Sequence, residues 1–323
     1  MTFSIGVDVG GTKILAGLVD ESGAIVTTAR RESPRNDANK ALAVVAEVVA
    51  ELSAPYPGAV VGVGLGVAGP VDSARSTVFF APNLGWSNVP ARALLEEVVG
   101  VPVVVENDGN AAAWGEFKFG AGADVEDLTM VTVGTGIGGG IIIDGVLLRG
   151  AHGAAGEIGH MNAIPDGLPC ACGRNGCWEQ YASGNALVRD ARALAASRSG
   201  KAGLLLSLGD GTPEGIQGVH LTKACELGDL VAIEAFRGVG TWLGRGLADL
   251  AAILDPTAFV IGGGVSEAGD FLLTSARQTL SDKLSGKRQR PTPEIRLAIL
   301  GNRAGLIGAA DLARSNSQQL SGR

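Results

Sequence analysis

Aromatic side chains are scarce in this 323-residue chain: Phe, Trp and Tyr together make up 4%. The core must therefore be built from Val, Leu, Ile and Ala, in a chain that is 46% hydrophobic and long enough for one large or two ordinary domains. No apolar run reaches the ~20 residues of a membrane span before Gly, Asp or Pro breaks it. No secretory leader is read at the start, because residues 3–9 (FSIGVDV) have the pattern of a buried strand. Positive charge is in deficit. Lys and Arg number 26 against 33 Asp and Glu, a net charge of −7, which gives no general field for nucleic acid or an anionic membrane. Cysteine is limited to four residues, and in the cytoplasmic setting these features suggest they are not expected to form disulfides. The string G-x-x-x-x-G-K-[ST] is absent, which excludes a P-loop.

Glycine, by contrast, is abundant, with 50 residues. The glycines fall inside apolar runs rather than linkers, which points to backbone turns that come close to a ligand. Residues 3–9, 13–20 and 24–30 read as a three-strand meander turning at Gly10-Gly11-Thr12 and Glu21-Ser22-Gly23. Helical spacing follows at 37–53, a buried strand at 58–68, a helix at 90–99 and a buried strand at 101–106 running into Asn107-Asp108 and a helix at 109–118. The opening pattern then recurs. Strands at 128–133 and 137–143 flank Gly134-Thr135-Gly136, and Asp144-Gly145 turns into 146–149. This long-range self-similarity fits a duplicated domain rather than a solenoid. Further helices are expected at 180–198, 219–254 and 303–314, a strand at 259–261, and a surface loop within 199–217.

Gly134, Gly136 and Gly139 match the dinucleotide string G-x-G-x-x-G, but that fingerprint needs a helix next and IGGGIIIDG reads as a strand. The two Gly-Thr turns suit another chemistry. Between strands, their backbone N–H groups can face phosphate oxygens without a Cβ in the way. Thr12 and Thr135 would add hydroxyl donors, and Asp8 could orient water on a phosphate-bridging Mg²⁺. Two ordinary hairpins are the competing reading. His160, Cys170, Cys172 and Cys177 have the spacing H-x9-C-x-C-x4-C, a four-donor set suited to tetrahedral zinc, with buried thiols or a disulfide as alternatives. Cys225 lies in a helical stretch and reads as a small buried residue. Asp108 follows a buried strand and precedes a helix, where open α/β sheets present ligands. It is a candidate general base for a hydroxyl nucleophile, or else a helix N-cap.

Asp8-x-Gly10-Gly11-Thr12 with the second Gly134-Thr135-Gly136 resembles the actin, sugar-kinase and Hsp70 superfamily. VGTGIGGGIIIDGVLLRGAHGAAGEIGH (133–160) and CACGRNGCWE (170–179) resemble the two signature segments of the ROK family, and CWEQYASGNAL (177–187) is especially similar to the ROK glucokinases. The resemblance covers nearly the whole chain. It implies an α/β fold of two actin-like (ribonuclease H-like) domains, 1–107 plus 304–323 and 108–303, with an active-site cleft that sugar closes. It implies ATP-dependent phosphorylation of the 6-hydroxyl of glucose, with Asp108 as base. By the same resemblance Gly69, Asn83, Asn107, Asp108, Glu157, His160 and Glu179 bind sugar. Asp8, Gly10, Gly11, Thr12, Lys13, Gly134, Thr135, Gly136, Gly262, Gly263 and Gly264 bind the Mg²⁺–ATP. His160 would give one ring nitrogen to structural zinc and the other to the sugar. The expected partners are glucose and ATP, in a homodimer or homotetramer, with no nucleic acid and no membrane. A kinase for mannose, fructose or N-acetylmannosamine, or a polyphosphate-using one, shares these signatures. ROK repressors differ by an N-terminal helix-turn-helix module, which is not read in this acidic chain.

Overall fold

The structure, a computed structural model, describes residues 1–286 and 288–321. Lys287, inside the expected large domain, and residues 322–323, at the end of the expected small one, lie outside the described residues.

Strands β1 (Phe3–Val9), β2 (Lys13–Val19) and β3 (Ile25–Glu32) form the expected antiparallel meander. Helix α1 (Ala38–Ser53) begins where the Asp37 side chain accepts the Lys40 N–H, satisfying one of the unpaired donors of a helix start. Strand β4 (Val60–Val67) runs parallel to β1. A hairpin of β5 (Val78–Ala81) and β6 (Trp86–Val89) follows, then α2 (Ala91–Val99), β7 (Val103–Asn107) parallel to β4, and α3 (Asp108–Phe119). The second half contains β8 (Leu128–Val133), β9 (Ile137–Ile143), β10 (Val146–Leu147), α4 (Glu179–Ala182), α5 (Gly184–Ser197), α6 (Gly203–Leu208), α7 (Gly218–Glu226) and α8 (Leu230–Leu254). It ends with β11 (Ala258–Gly262), α9 (Asp270–Lys283), β12 (Glu294–Leu297) and α10 (Ala304–Ser321).

The strand orders are β3-β2-β1-β4-β7 and β10-β9-β8-β11-β12. Counted from its own first strand, each sheet runs third, second, first, fourth, fifth. The repeated meander in the sequence is thus the visible part of a repeated sheet topology. The chain divides into one compact unit of Met1–Met130, Gly139–Gly156 and Ala298–Arg323 and another of Val131–Gly138 and Glu157–Leu297.

In the first unit, Ile5, Val7, Val9, Leu65, Val67, Val103 and Val105 form a core with Leu42, Val45 and Val49 of α1. Helix α10 lies against the same strands with its backbone close to theirs. A β-carbon on Gly64 would fall 1.9 Å from the Ala309 carbonyl oxygen, and one on its register neighbour Gly6 would fall 1.8 Å from that of Leu306. Gly64→Ala must therefore push the helix away. Overpacking of this kind costs about 1–3 kcal/mol, and urea titration should show the midpoint falling. An unchanged midpoint would contradict the close approach.

Several expected elements differ in detail. The stretch 180–198 is two helices because Ser183 is extended and its hydroxyl accepts the Ala186 N–H, starting α5 afresh. The stretch 219–254 is divided at Leu227–Asp229. Gly228 has φ +84°, and Asp229 accepts from Val231 and Ala232 to cap α8. The strand expected at 146–149 pairs only over Val146–Leu147. The segment 199–217 contains a 3₁₀ turn and α6 besides loop. The β5–β6 hairpin, α9 and β12 correspond to no expected element. Among the described residues no helix is long and apolar enough to cross a membrane.

Candidate active site

Strands β1, β4 and β7 are parallel, and their register aligns Asp8, Gly66 and Glu106 in one row and Val9, Val67 and Asn107 in the next. Their carboxyl ends therefore bring Asp8 and the run Glu106-Asn107-Asp108 to one edge of the sheet, the edge at which open α/β sheets bind ligands. Glu106 is 3% exposed. Its carboxylate accepts from Arg149 Nε at 2.7 Å and Asn110 Nδ2 at 3.1 Å, so a buried charge is both paired and hydrogen-bonded. Asn107 is the N-cap of α3. Its Oδ1 accepts the Asn110 N–H at 3.1 Å, and its Nδ2 donates to the Gly69 carbonyl at 3.2 Å. Asp108 is the first helical residue, with Oδ1 accepting the Gly109 N–H at 2.9 Å. The alternative of Asp108 as N-cap is thus overturned, because the extended backbone of Asn107 puts the capping oxygen one residue earlier. Glu106, Asn110 and Arg149 were not among the candidate residues; a buried carboxylate's partner 43 positions away leaves no local pattern.

The first glycine turn closes with the Gly10 N–H donating to the Lys13 carbonyl at 3.0 Å. Burial pushes the Asp8 carboxyl above its usual range, and the Lys13 charge opposes that shift. The turn lies against the segment that carries Asn83. A β-carbon on Gly11 would stand 3.0 Å from the Asn83 carbonyl oxygen and 3.4 Å from its Cβ. Gly69, just past β4, approaches the Phe80 carbonyl at the end of the same hairpin strand.

In the second unit, Gly134–Gly136 joins β8 to β9, with the Gly134 N–H donating to the Gly136 carbonyl at 3.0 Å. A strand follows, as expected, which removes the dinucleotide-fold reading. The Gly184 N–H at the start of α5 donates to the Gly134 carbonyl at 2.8 Å. Gly263, at φ +85°, would place a β-carbon 2.5 Å from the Val133 carbonyl oxygen. The structure thus gathers Gly134–Gly136, Gly262–Gly264 and the N-terminus of α5. Ser183, Gly184 and Asn185 were not candidates, although Ser-Gly-Asn ahead of an apolar helical run is a readable helix start.

Glu157 immediately precedes a 3₁₀ turn, Ile158–His160, rather than lying in an α-helix, yet the turn still brings Glu157 Oε2 to 3.9 Å from His160 Nε2. The other ring nitrogen, Nδ1, is 3.6 Å from Cys170 Sγ, and Cys172 and Cys177 have sulfurs 3.6 Å apart. All four donor atoms lie within 4.8 Å of one another, an arrangement that could hold a metal ion. None of the cysteines is in a disulfide. A hydrogen bond from the Arg174 backbone N–H lowers the Cys172 thiol to about 6. Burial pushes the Cys170 thiol up to about 12. Glu179 joins this cluster to the second turn: Oε1 accepts from Cys170 at 3.0 Å and Oε2 accepts the Ile137 N–H at 3.4 Å. Cys225 is a buried residue of α7, as expected. Grooves of about 760 Å³ between α1 and α2 and about 540 Å³ between α5 and α8 contain none of these residues.

Known proteins share this chain's sequence and fold. The ROK family profile matches residues 4–316. A glucokinase of Streptomyces coelicolor is 50% identical over 315 residues, 97% of this chain and 98% of its own length. The crystal structure of a ROK family glucokinase from Streptomyces griseus in complex with glucose and AMPPNP superposes with a TM-score of 0.86 at 50% identity, over 97% of this chain and 99% of that one. A ROK hexokinase from Thermus thermophilus gives 0.81 at 33% identity, over 98% and 100%. The repeated sheet topology and the glycine turns agree with these matches: the chain belongs to the ROK family and has its two-domain, actin-like α/β fold.

Proposed function

We propose that the chain is an ATP-dependent glucokinase that transfers the γ-phosphoryl group to the 6-hydroxyl of glucose, with Asp108 as general base. The observation that carries this reading is the position of Asp108. It stands at the carboxyl edge of three parallel strands, one residue beyond the side chain that caps α3, so its carboxylate is not needed to start the helix. Glucokinases that share half of its residues over nearly the full length support the choice of sugar.

A sugar hydroxyl is a weak nucleophile near neutral pH. Asp108 takes its proton as the O6–Pγ bond forms and the bond from Pγ to the β–γ bridging oxygen breaks, leaving ADP and glucose 6-phosphate. Asn107, held on the Gly69 carbonyl, Asn83 and Gly69 orient the sugar beside Asp108. Glu157, His160 and Glu179 are assigned to sugar hydroxyls. Backbone and hydroxyl donors of Gly10, Gly11, Thr12, Gly134, Thr135 and Gly136 face the phosphates, Lys13 adds positive charge, and Gly262–Gly264 lies on the adenosine side. Asp8 would orient water on magnesium, which would neutralise phosphate charge when bound with ATP.

His160, Cys170, Cys172 and Cys177 are assigned to a structural zinc. Bonds of ~2.3 Å to sulfur in a tetrahedron set sulfurs about 3.8 Å apart, close to the 3.6 Å between Cys172 and Cys177. With Nδ1 on the cysteine side, His160 keeps Nε2 for a sugar hydroxyl. The functional domains are taken as 1–107 plus 304–323 and 108–303, in a cytoplasmic homodimer or homotetramer that binds neither nucleic acid nor membrane.

The test is a coupled assay of glucose, mannose, fructose and N-acetylmannosamine, each with ATP and with polyphosphate. Glucose with ATP is expected to give the highest kcat/KM. A higher value for another sugar or for polyphosphate would overturn the assignment.

A further inference from the structure

The loop after β3 is docked on the first glycine turn. The Ser33 N–H donates to the Thr12 carbonyl at 3.2 Å, and Arg35 Nε donates to the Gly11 carbonyl at 2.9 Å. One residue on, the Asn36 N–H donates to the Leu84 carbonyl at 2.9 Å, beside Asn83. The loop is therefore held by two backbone hydrogen bonds and one from the Arg35 side chain, which is otherwise exposed.

Two features of this loop have no structural explanation. Ser33 is 9% exposed, and its hydroxyl has no hydrogen-bond partner among the described residues. Arg35 has no carboxylate partner among the described residues, unlike Arg31 on the adjoining strand, which pairs with Glu51. Among the described residues only Nε of Arg35 is engaged, so its Nη edge retains the planar pair of donors that fits phosphate oxygens.

We propose that Arg35 extends the phosphate turn Gly10–Thr12, with its guanidinium binding oxygens of the nucleotide triphosphate. This rests on the reading of Gly10–Thr12 as a phosphate turn. The hydrogen bond to Gly11 sets the guanidinium beside that turn before nucleotide arrives, so little side-chain freedom is lost on binding. Positive charge beside the transferred group is what a loose, anionic phosphoryl-transfer state requires, and Lys13 is partly offset by the neighbouring Asp8.

The experiment compares Arg35→Gln, Arg35→Lys and Thr12→Ala in the full chain. It measures KM for ATP, kcat, and glucose affinity without nucleotide by calorimetry. Losing one charged hydrogen-bond donor to phosphate should raise KM for ATP about 10- to 100-fold in Arg35→Gln. Arg35→Lys should stay within several-fold of the parent, and glucose affinity should not change. Glutamine and lysine can both donate to the Gly11 carbonyl, but only lysine carries charge. Equal behaviour of the two would therefore reduce Arg35 to a tether and overturn the proposal. So would an Arg35→Gln protein with normal KM for ATP. If Thr12→Ala weakens ATP in that case, the phosphate turn stands without Arg35. If neither variant affects ATP, the turn reading falls as well.

Discussion

Asp108→Asn is expected to lower kcat for glucose phosphorylation by about 10²–10⁴, equivalent to about 3–5 kcal/mol of barrier at 1.36 kcal/mol per decade. Asparagine keeps the side-chain shape and an oxygen for the Gly109 N–H, but it cannot take the hydroxyl proton. The helix should be indifferent to the change, because Asn107 supplies the cap. Circular dichroism and ATP binding should therefore match the parent, while glucose affinity falls modestly through loss of a charged acceptor. A variant that retains more than about a tenth of the parent kcat, a loss below the smallest typical of a general base, would remove Asp108 from that role.

Cys172→Ser should reduce zinc content and glucose affinity together. The serine hydroxyl is a far poorer zinc ligand than a cysteine thiolate. With the metal gone, His160 loses the contact that fixes its ring and tautomer. Loss of such support typically costs about 10–100-fold, and the rise should appear in KM for glucose more than in KM for ATP. Metal analysis of the parent should give about one zinc per chain. A variant that has lost its zinc but keeps normal glucose KM would separate the metal from the sugar.

The features legible in the sequence share a short range. The meander turns, the glycine pairs and the metal-donor spacing are all read within a few residues, and β1, β2, β8 and β9 lie where the apolar runs between glycine turns place them. The repeat was visible only in the meander of its first three strands, since the fourth and fifth strands of each sheet are reached through helices of different length. Hairpin β5–β6 escaped because Phe79 and Phe80 are exposed while Val78 and Ala81 are buried, which breaks the period of two. Helix α9 buries Leu272, Leu273, Ala276 and Leu280 against α8, a stripe diluted by polar neighbours. At the site, Asn107, Asp108 and His160 could be named from local motifs. The Glu106–Arg149 pair and the reach of Arg35 to Gly11 depend on tertiary contacts.

The most direct test is product analysis. Purified protein incubated with glucose, ATP and magnesium should convert them, followed by ³¹P and ¹³C NMR, to glucose 6-phosphate and ADP in equal amounts. Inorganic phosphate without sugar phosphate, phosphate on a hydroxyl other than that of C6, or unconsumed ATP would contradict the assignment.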